Sequence, residues 1–223
     1  MTDRASVGRL VLVPALITLA VTGLRLAGEL LRWDPTFFSR EAGGAGAVVG
    51  IVWLVPVFGI YFARKLMAAG DGPAGPGRAL GHALLGLALV PAAAFLGRAL
   101  KLSLPAVITL FAVVSVLAGY VAYRGWRSLG RVLAAYGLAA RIPVAVLMLI
   151  AMTASWGTHY ELGPPDMPPM GLLPKWVLIG LLPQLTFWIA FTVIVGMVFG
   201  SVAAMLGGRA RSGGPAVAPT GRG

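Results

Sequence analysis

The chain has 223 residues, of which 58% are hydrophobic and 11% are charged, and its formal net charge at pH 7 is +11. A typical soluble domain carries about 25% charged residues, so this chain has too much apolar surface for water to be its only solvent. It has no cysteine and two histidines. This excludes disulfides, thiol nucleophiles and cysteine-bound metals, and disfavours haem or zinc sites made of histidine. We expect no cofactor.

The longest uncharged stretch covers residues 176–206 and contains no Asp, Glu, Lys, Arg or His. As a helix it would be about 46 Å long, against about 30 Å for the hydrocarbon core of a bilayer. A soluble domain of this size does not need so long an uncharged helix. The stretch therefore predicts a transmembrane helix that is tilted or leaves the membrane before it ends.

Similar apolar stretches recur along the chain and predict an all-α, polytopic membrane protein with a single bundle over residues 1–206. Glycine and proline mark the breaks, above all in the linker 69–77 and in the proline-rich segment 157–174. Pro183 is expected to kink the last helix. The predicted helices are 7–31, 45–67, 78–100, 104–123, 127–156 and 175–206, followed by a disordered cytoplasmic tail, 207–223.

The distribution of charge predicts the orientation, with both termini in the cytoplasm. The inner side then carries eleven cations: Arg4, Arg9, Arg64, Lys65, Arg78, Arg124, Arg127, Arg131, Arg209, Arg211 and Arg222. The outer side carries six: Arg25, Arg32, Arg40, Arg98, Lys101 and Lys175. This agrees with the positive-inside rule.

The same charges bear on partners and origin. The cations flank apolar spans and do not form a basic surface that could contact nucleic acid. No nucleic-acid partner is therefore predicted, and the bilayer is the expected partner. Arginine outnumbers lysine 15 to 3. We take this ratio as typical of a GC-rich bacterial genome and expect a multi-pass protein of the bacterial cytoplasmic (inner) membrane.

Most acidic residues fall on the predicted outer side, where a polar ligand would bind. The candidate ligand-binding residues are Asp34, Glu41, His159, Glu161 and Asp166. The alternative is that these charges pair with one another beside a belt of interfacial aromatic residues. With Met167 and Met170, the second segment also resembles a weak metal-ligand set, but no H-E-x-x-H pattern is present and no metal is predicted. No G-x-S-x-G or phosphate-binding motif supports catalysis.

Two polar residues are predicted inside the membrane, Arg141 and Gln184. If helix five begins near residue 127, Arg141 lies at depth, where a charge is costly and is usually functional or paired. If the helix begins near residue 141, Arg141 only marks the interface. The sequence leaves both interpretations open.

Small residues at four-residue spacing predict close helix contacts in two places. They are Gly46 and Gly50 in helix two, and Gly196, Gly200 and Ala204 in helix six. The second face would pack against another helix of this chain or of a second copy.

These observations favour a protein without its own catalysis, acting as an accessory or scaffold subunit or as a self-associating bundle, with other membrane subunits or itself as partner. One alternative is a small permease or channel for an ion or small solute, indicated by helix prolines, Arg141 and Gln184. Another is an outward-facing enzyme or metal-binding protein using Glu41, His159, Glu161 and Asp166.

Overall fold

The computed structural model describes residues 4–44, 47–164 and 167–212, and over these ranges the regular secondary structure is helical, with no strand. The helices are α1 (Arg4–Leu30), α2 (Leu54–Ala68), α3 (Pro76–Ala99), α4 (Leu104–Gly125), α5 (Arg127–Ala154), α6 (Leu172–Lys175), α7 (Leu182–Leu185) and α8 (Phe187–Ser212). A π-helical turn, Trp176–Leu181, joins α6 to α7, and short 3-10 turns lie at Ala42–Gly44 and His159–Glu161.

Five helical segments within the described ranges are long and apolar enough to cross a membrane. They are Val7–Leu30, Pro76–Ala99, Leu104–Gly125, Arg127–Ala154 and the broken helix Leu172–Gly207. The remaining helix, α2, has 15 residues and would span only about 22 Å. The described part of the chain is all-helical, as predicted, and its long apolar helices are consistent with a multi-pass membrane bundle.

The loops gather at two opposite ends of the bundle. At one end, Ser128 at the start of α5 donates a hydrogen bond to Asp71 in the α2–α3 loop (2.7 Å). At the other end, His159 in the α5–α6 loop contacts Glu29 at the end of α1. The six helical passes therefore alternate in direction. We call the end that holds Asp71 the Asp71 end and the opposite one the Glu29 end.

The half of the bundle next to the Asp71 end is filled by an aromatic core between α2 and α5. Tyr136 lies edge-on to Phe58 and Phe62, with ring centroids 5.3 and 5.6 Å away. The hydroxyls of Tyr136 and Thr18 are 2.7 Å apart, which joins α1 to this core. Thr18 donates its own hydrogen to the Pro14 carbonyl, so Tyr136 is the donor of the pair.

Helix α8 packs at the centre of the bundle through its small residues. A Cβ built on Gly59 of α2 would lie 2.6 Å from the carbonyl oxygen of Gly196. A Cβ on Gly200 would lie 2.6 Å from Leu129 of α5, and Ala204 is also buried. The face formed by Gly196, Gly200 and Ala204 is thus covered by α2 and α5 of the same chain.

The prediction that helix two begins at residue 45 is wrong, because residues 47–53 are not helical and α2 begins at Leu54. This stretch contains four β-branched residues and one glycine, which are poorer helix formers than alanine or leucine. The Val48 and Val49 amides donate instead to the carbonyls of Thr36 and Phe37, at 3.1 Å each. Gly50 therefore lies outside any helix and not on a helix-packing face, while Gly46 lies outside the described residues.

The last crossing also departs from the predicted continuous helix over 175–206. It begins at Leu172, contains the π-helical turn and is interrupted at Thr186. Pro183 has no backbone N–H to donate to the carbonyl four residues earlier, which explains the irregular turn before it. Helix α8 continues to Ser212, so residues 207–212 are helical and not disordered as predicted. Intrahelical hydrogen bonds still satisfy the backbone of these residues. Residues 213–223 lie outside the described part.

The contact between Gly59 and Gly196 gives a test of this packing. Gly59→Ala should destabilise the purified protein by about 1–3 kcal/mol, because the new methyl group meets backbone that has no free rotamer. Gly23→Ala is the matched control, since a Cβ there has nothing within 4 Å. Thermal unfolding in detergent measures both variants. Equal unfolding temperatures for the two would contradict the packing described here.

Candidate functional site

A cavity of about 530 Å³ opens between α1, the non-helical segment 47–53, α5, the His159–Glu161 turn and the broken helix α7–α8. Its volume is in the range of small-molecule sites. Its polar lining residues are Thr22, Arg25, Arg141, His159, Tyr160 and Gln184. The other lining residues are mostly apolar and include Trp53, Val144, Met148, Trp188 and Phe191.

Arg141 lies in the middle of α5. The helix begins at Arg127, which places Arg141 about 21 Å along a 28-residue helix. The residue is 4% exposed. The structure thus agrees with the first of the two interpretations, an arginine at membrane depth.

The surroundings of Arg141 leave its charge without a counterion among the described residues. Its guanidinium carbon lies 4.4 Å from the ring centroid of Trp188, a cation–π contact. Its Nε is buried and has no hydrogen-bond partner in the described part of the chain. Buried polar groups in proteins are nearly always satisfied, so an unpartnered one beside a cavity points to a ligand.

Gln184 lines the same cavity and carries a second unpartnered atom. It is 6% exposed, and its Nε2 lies 3.7 Å from the Met148 sulfur. Its Oε1 is buried without a partner within the described ranges. The irregular backbone is fixed nearby, because the Trp176 indole donates to the Ala145 carbonyl at 2.8 Å. Irregular turns of this kind are frequent at functional sites.

A buried carboxylate, Glu29, lies behind the cavity wall formed by Arg25 and His159 at the Glu29 end. Glu29 is 1% exposed and accepts a hydrogen bond from Arg25 Nε at 2.8 Å. It also accepts from the backbone N–H of His159 at 3.0 Å, and it is 2.5 Å from the Nδ1 of that ring. We call Arg25, Glu29 and His159 the Glu29 cluster. It ties α1 to the α5–α6 loop.

Arg25 extends the Glu29 cluster to the segment before α2. Its guanidinium donates to the Val49 carbonyl at 3.1 Å and to the Ser39 carbonyl at 3.0 Å. Non-helical backbone at membrane depth is tolerated where it is buried in protein or lines a cavity, and here an arginine satisfies part of it. The cluster thus holds two of the cavity's non-helical walls in place.

Burial and neighbouring charges decide the protonation of His159 and Tyr160. Burial lowers the pKa of His159 below its ordinary value of 6.5, the bond to Glu29 opposes this and the Arg25 charge adds to it. The ring is therefore neutral at pH 7. Because a carboxylate only accepts, Nδ1 carries the hydrogen. Burial likewise raises the pKa of Tyr160, which stays a neutral phenol.

Four of the five predicted ligand-binding residues lie in the described part of the chain, and the structure does not gather these four into one site. His159 lines the cavity, but the Glu161 side chain caps its own turn by accepting from the Thr158 N–H at 3.0 Å. Asp34 accepts from the Thr36 N–H in an exposed turn, and Glu41 is exposed. Asp166 lies outside the described residues.

The side chains that could bind a metal ion are likewise dispersed. In the described part of the chain, no three His, Cys, Asp or Glu side chains lie close enough to hold a metal ion.

Sequence reasoning missed the role of Arg25 and Glu29. Their spacing indicates an ion pair on α1, and this pair is present. Its connection to His159 joins residues 130 positions apart, and no local pattern shows such a contact. The available signal was the position of both charges inside an otherwise apolar helix.

Comparison of the chain with models of known protein families, with curated proteins and with solved structures found no match.

The Glu29 cluster predicts a large effect of removing its carboxylate charge. Glu29→Gln leaves Arg25 buried without its counterion, and breaking a buried pair in this way costs about 3–5 kcal/mol. Thermal unfolding in detergent should show a strong loss. Glu41→Gln, which removes an exposed carboxylate on the same side, should unfold like the wild type. A Glu29→Gln protein as stable as this control would contradict the account.

The lowered pKa of His159 predicts that stability falls in acid. Above pH 6.5 the ring is neutral in both the folded and unfolded chain. Below it, the unfolded chain takes up the proton first, so the unfolding free energy decreases as the pH falls. His159→Asn keeps an N–H donor but does not titrate, so its stability should depend less on pH between pH 7 and 5. An unchanged slope in His159→Asn would contradict the assignment.

Proposed function

We propose that this protein is a small permease that binds an anionic solute in the cavity beside Arg141. The observation that carries the proposal is the uncompensated, 4% exposed guanidinium of Arg141, whose Nε has no partner within the described residues and which lines a cavity large enough for a small molecule. An anion with an accepting oxygen supplies both the missing charge and the missing hydrogen bond.

The energetics support a ligand rather than a structural role for this charge. Burying an ion at membrane depth costs several kcal/mol even after relaxation. The contact with Trp188 offsets about 2 kcal/mol of this. Glu29 shows the contrasting case, since its charge is met by donors from Arg25 and His159. The chain thus satisfies one buried charge internally and leaves the other to the cavity.

The position of the cavity supports access from one side. Its lining reaches the Glu29 end through His159 and Tyr160, whereas the half of the bundle toward the Asp71 end is filled by the aromatic core of Phe58, Phe62 and Tyr136. With both termini in the cytoplasm, as the charge distribution favours, the cavity faces outward. This is the geometry expected of the outward-facing state of a transporter that alternates access around a mid-membrane site.

We place the protein in the bacterial cytoplasmic membrane on the same charge distribution and on its arginine-rich composition. An accessory-subunit or scaffold role is the second proposal. The face expected to mediate it is covered by α2 and α5, so association would have to use another surface. An outward-facing enzyme has less support, because Glu41 and Glu161 do not line the cavity.

Replacing Arg141 tests the proposal directly. Acetate, benzoate, phosphate and sulfate are added to the purified protein, and thermal stability and binding are measured. At least one anion should stabilise the wild type, and Arg141→Gln should weaken its binding about ten- to a hundredfold, the effect of losing a hydrogen bond to a charged group. Arg131→Gln, an exposed arginine on the same helix, is the control.

Two further readouts separate function from folding. Without any anion, Arg141→Gln should unfold no more readily than the wild type, because it removes an uncompensated charge. In liposomes, the anion that binds should cross with the wild type and not with Arg141→Gln. If no anion distinguishes the wild type from Arg141→Gln, the proposal is wrong.

A further inference from the structure

The charge of the cavity wall restricts the charge of a ligand. The basic lining residues are Arg25, Arg141 and His159, and the described lining contains no carboxylate. Glu29 compensates Arg25, and His159 is neutral, so Arg141 supplies the one positive charge in the described lining that has no counterion. A monoanion neutralises it. A dianion would bring one negative charge in excess to membrane depth, where it is costly.

Gln184 adds a requirement for a hydrogen-bond donor. A thioether sulfur only accepts, so the contact with Met148 fixes Nε2 toward the sulfur and leaves Oε1 as the free end of an amide whose side chain lines the cavity. Oε1 is an acceptor without a partner in the described structure. A ligand O–H or N–H would satisfy it. An ammonium donor is disfavoured because it would add a second positive charge near Arg141, with no carboxylate in the described lining to balance it.

The two unpartnered atoms lie at different levels of the cavity. Arg141 lies against Trp188, and Gln184 precedes Trp188 by four residues, about one helical turn in a crossing that is interrupted at Thr186. Met148, which Gln184 contacts, follows Arg141 by two turns of α5, in the direction of the Glu29 end. The Gln184 level is therefore displaced from Arg141 toward that end, and apolar lining residues such as Val144 and Phe191 complete the wall.

We propose, on the basis of the function proposed above, that the cavity selects a monoanionic acid with a neutral O–H or N–H donor about one helical turn from its acidic group and an apolar part between them. Arg141 binds the acidic group, and Gln184 accepts from the donor. The donor and the single charge are the determinants of specificity.

Four ligands of similar shape test this selection by binding to the purified wild type. 4-Hydroxybenzoate has one charge and a hydroxyl across the ring, and 4-methylbenzoate lacks the donor. Terephthalate carries two charges, and 4-hydroxybenzamide carries none. We expect 4-hydroxybenzoate to bind about tenfold more tightly than 4-methylbenzoate, as for one buried acceptor left without a donor. Terephthalate and 4-hydroxybenzamide should bind more weakly still.

Variants assign the two determinants. Gln184→Leu should lose the preference for 4-hydroxybenzoate while it still binds 4-methylbenzoate, which shows that the variant is folded. Arg141→Gln should lose both. An unchanged preference in Gln184→Leu would overturn the role of Gln184.

The remaining outcomes separate this inference from the proposed function. If terephthalate binds the wild type as tightly as 4-hydroxybenzoate and binding still depends on Arg141, the selection for a monoanion is overturned while the anion site stands. If neither these ligands nor the simple anions bind, both proposals are overturned.

Discussion

The carboxylate of Glu29 holds together the non-helical segments at the Glu29 end of this structure. It binds the Arg25 guanidinium and two N–H groups of His159, and Arg25 in turn binds carbonyls of the segment before α2. A membrane interior tolerates irregular backbone only where its polar groups are satisfied by protein or face a cavity. One buried acid thus permits α2 to be short and the cavity wall to be non-helical.

Glu29 and Arg141 differ in whether their buried charges have partners in the described structure, and this difference supports the proposed function. Both are charged groups within apolar helices, and both are almost fully buried. Glu29 is surrounded by donors, whereas the described surroundings of Arg141 offer an indole face and a cavity. A folded chain keeps an uncompensated charge at such a position only at a cost to its stability, and natural proteins accept costs of this kind mainly at functional sites.

Much of the fold could be predicted from the sequence, because long apolar runs have few alternatives in a membrane. The ends of α1, α3, α4 and α5 lie within a few residues of the predicted ones. The prediction failed at residues 47–53, where tertiary hydrogen bonds determine the backbone conformation. It also failed in the last crossing, where the missing N–H of Pro183 does so. The candidate site was less predictable: Arg141 and Gln184 were identified from their polarity, but the depth of Arg141 depends on where α5 begins, and the contact of Glu29 with His159 is a long-range one.

The most direct measurement is a nitrogen-15 NMR spectrum of the arginine side chains in the purified protein, with the Arg141 Nε–H signal assigned by its loss in Arg141→Lys. Adding the anion that stabilises the protein should shift this signal saturably, at the concentrations that raise the unfolding temperature, because Nε gains an acceptor. An Arg141 signal that does not move while the anion binds would place the binding elsewhere and contradict the account.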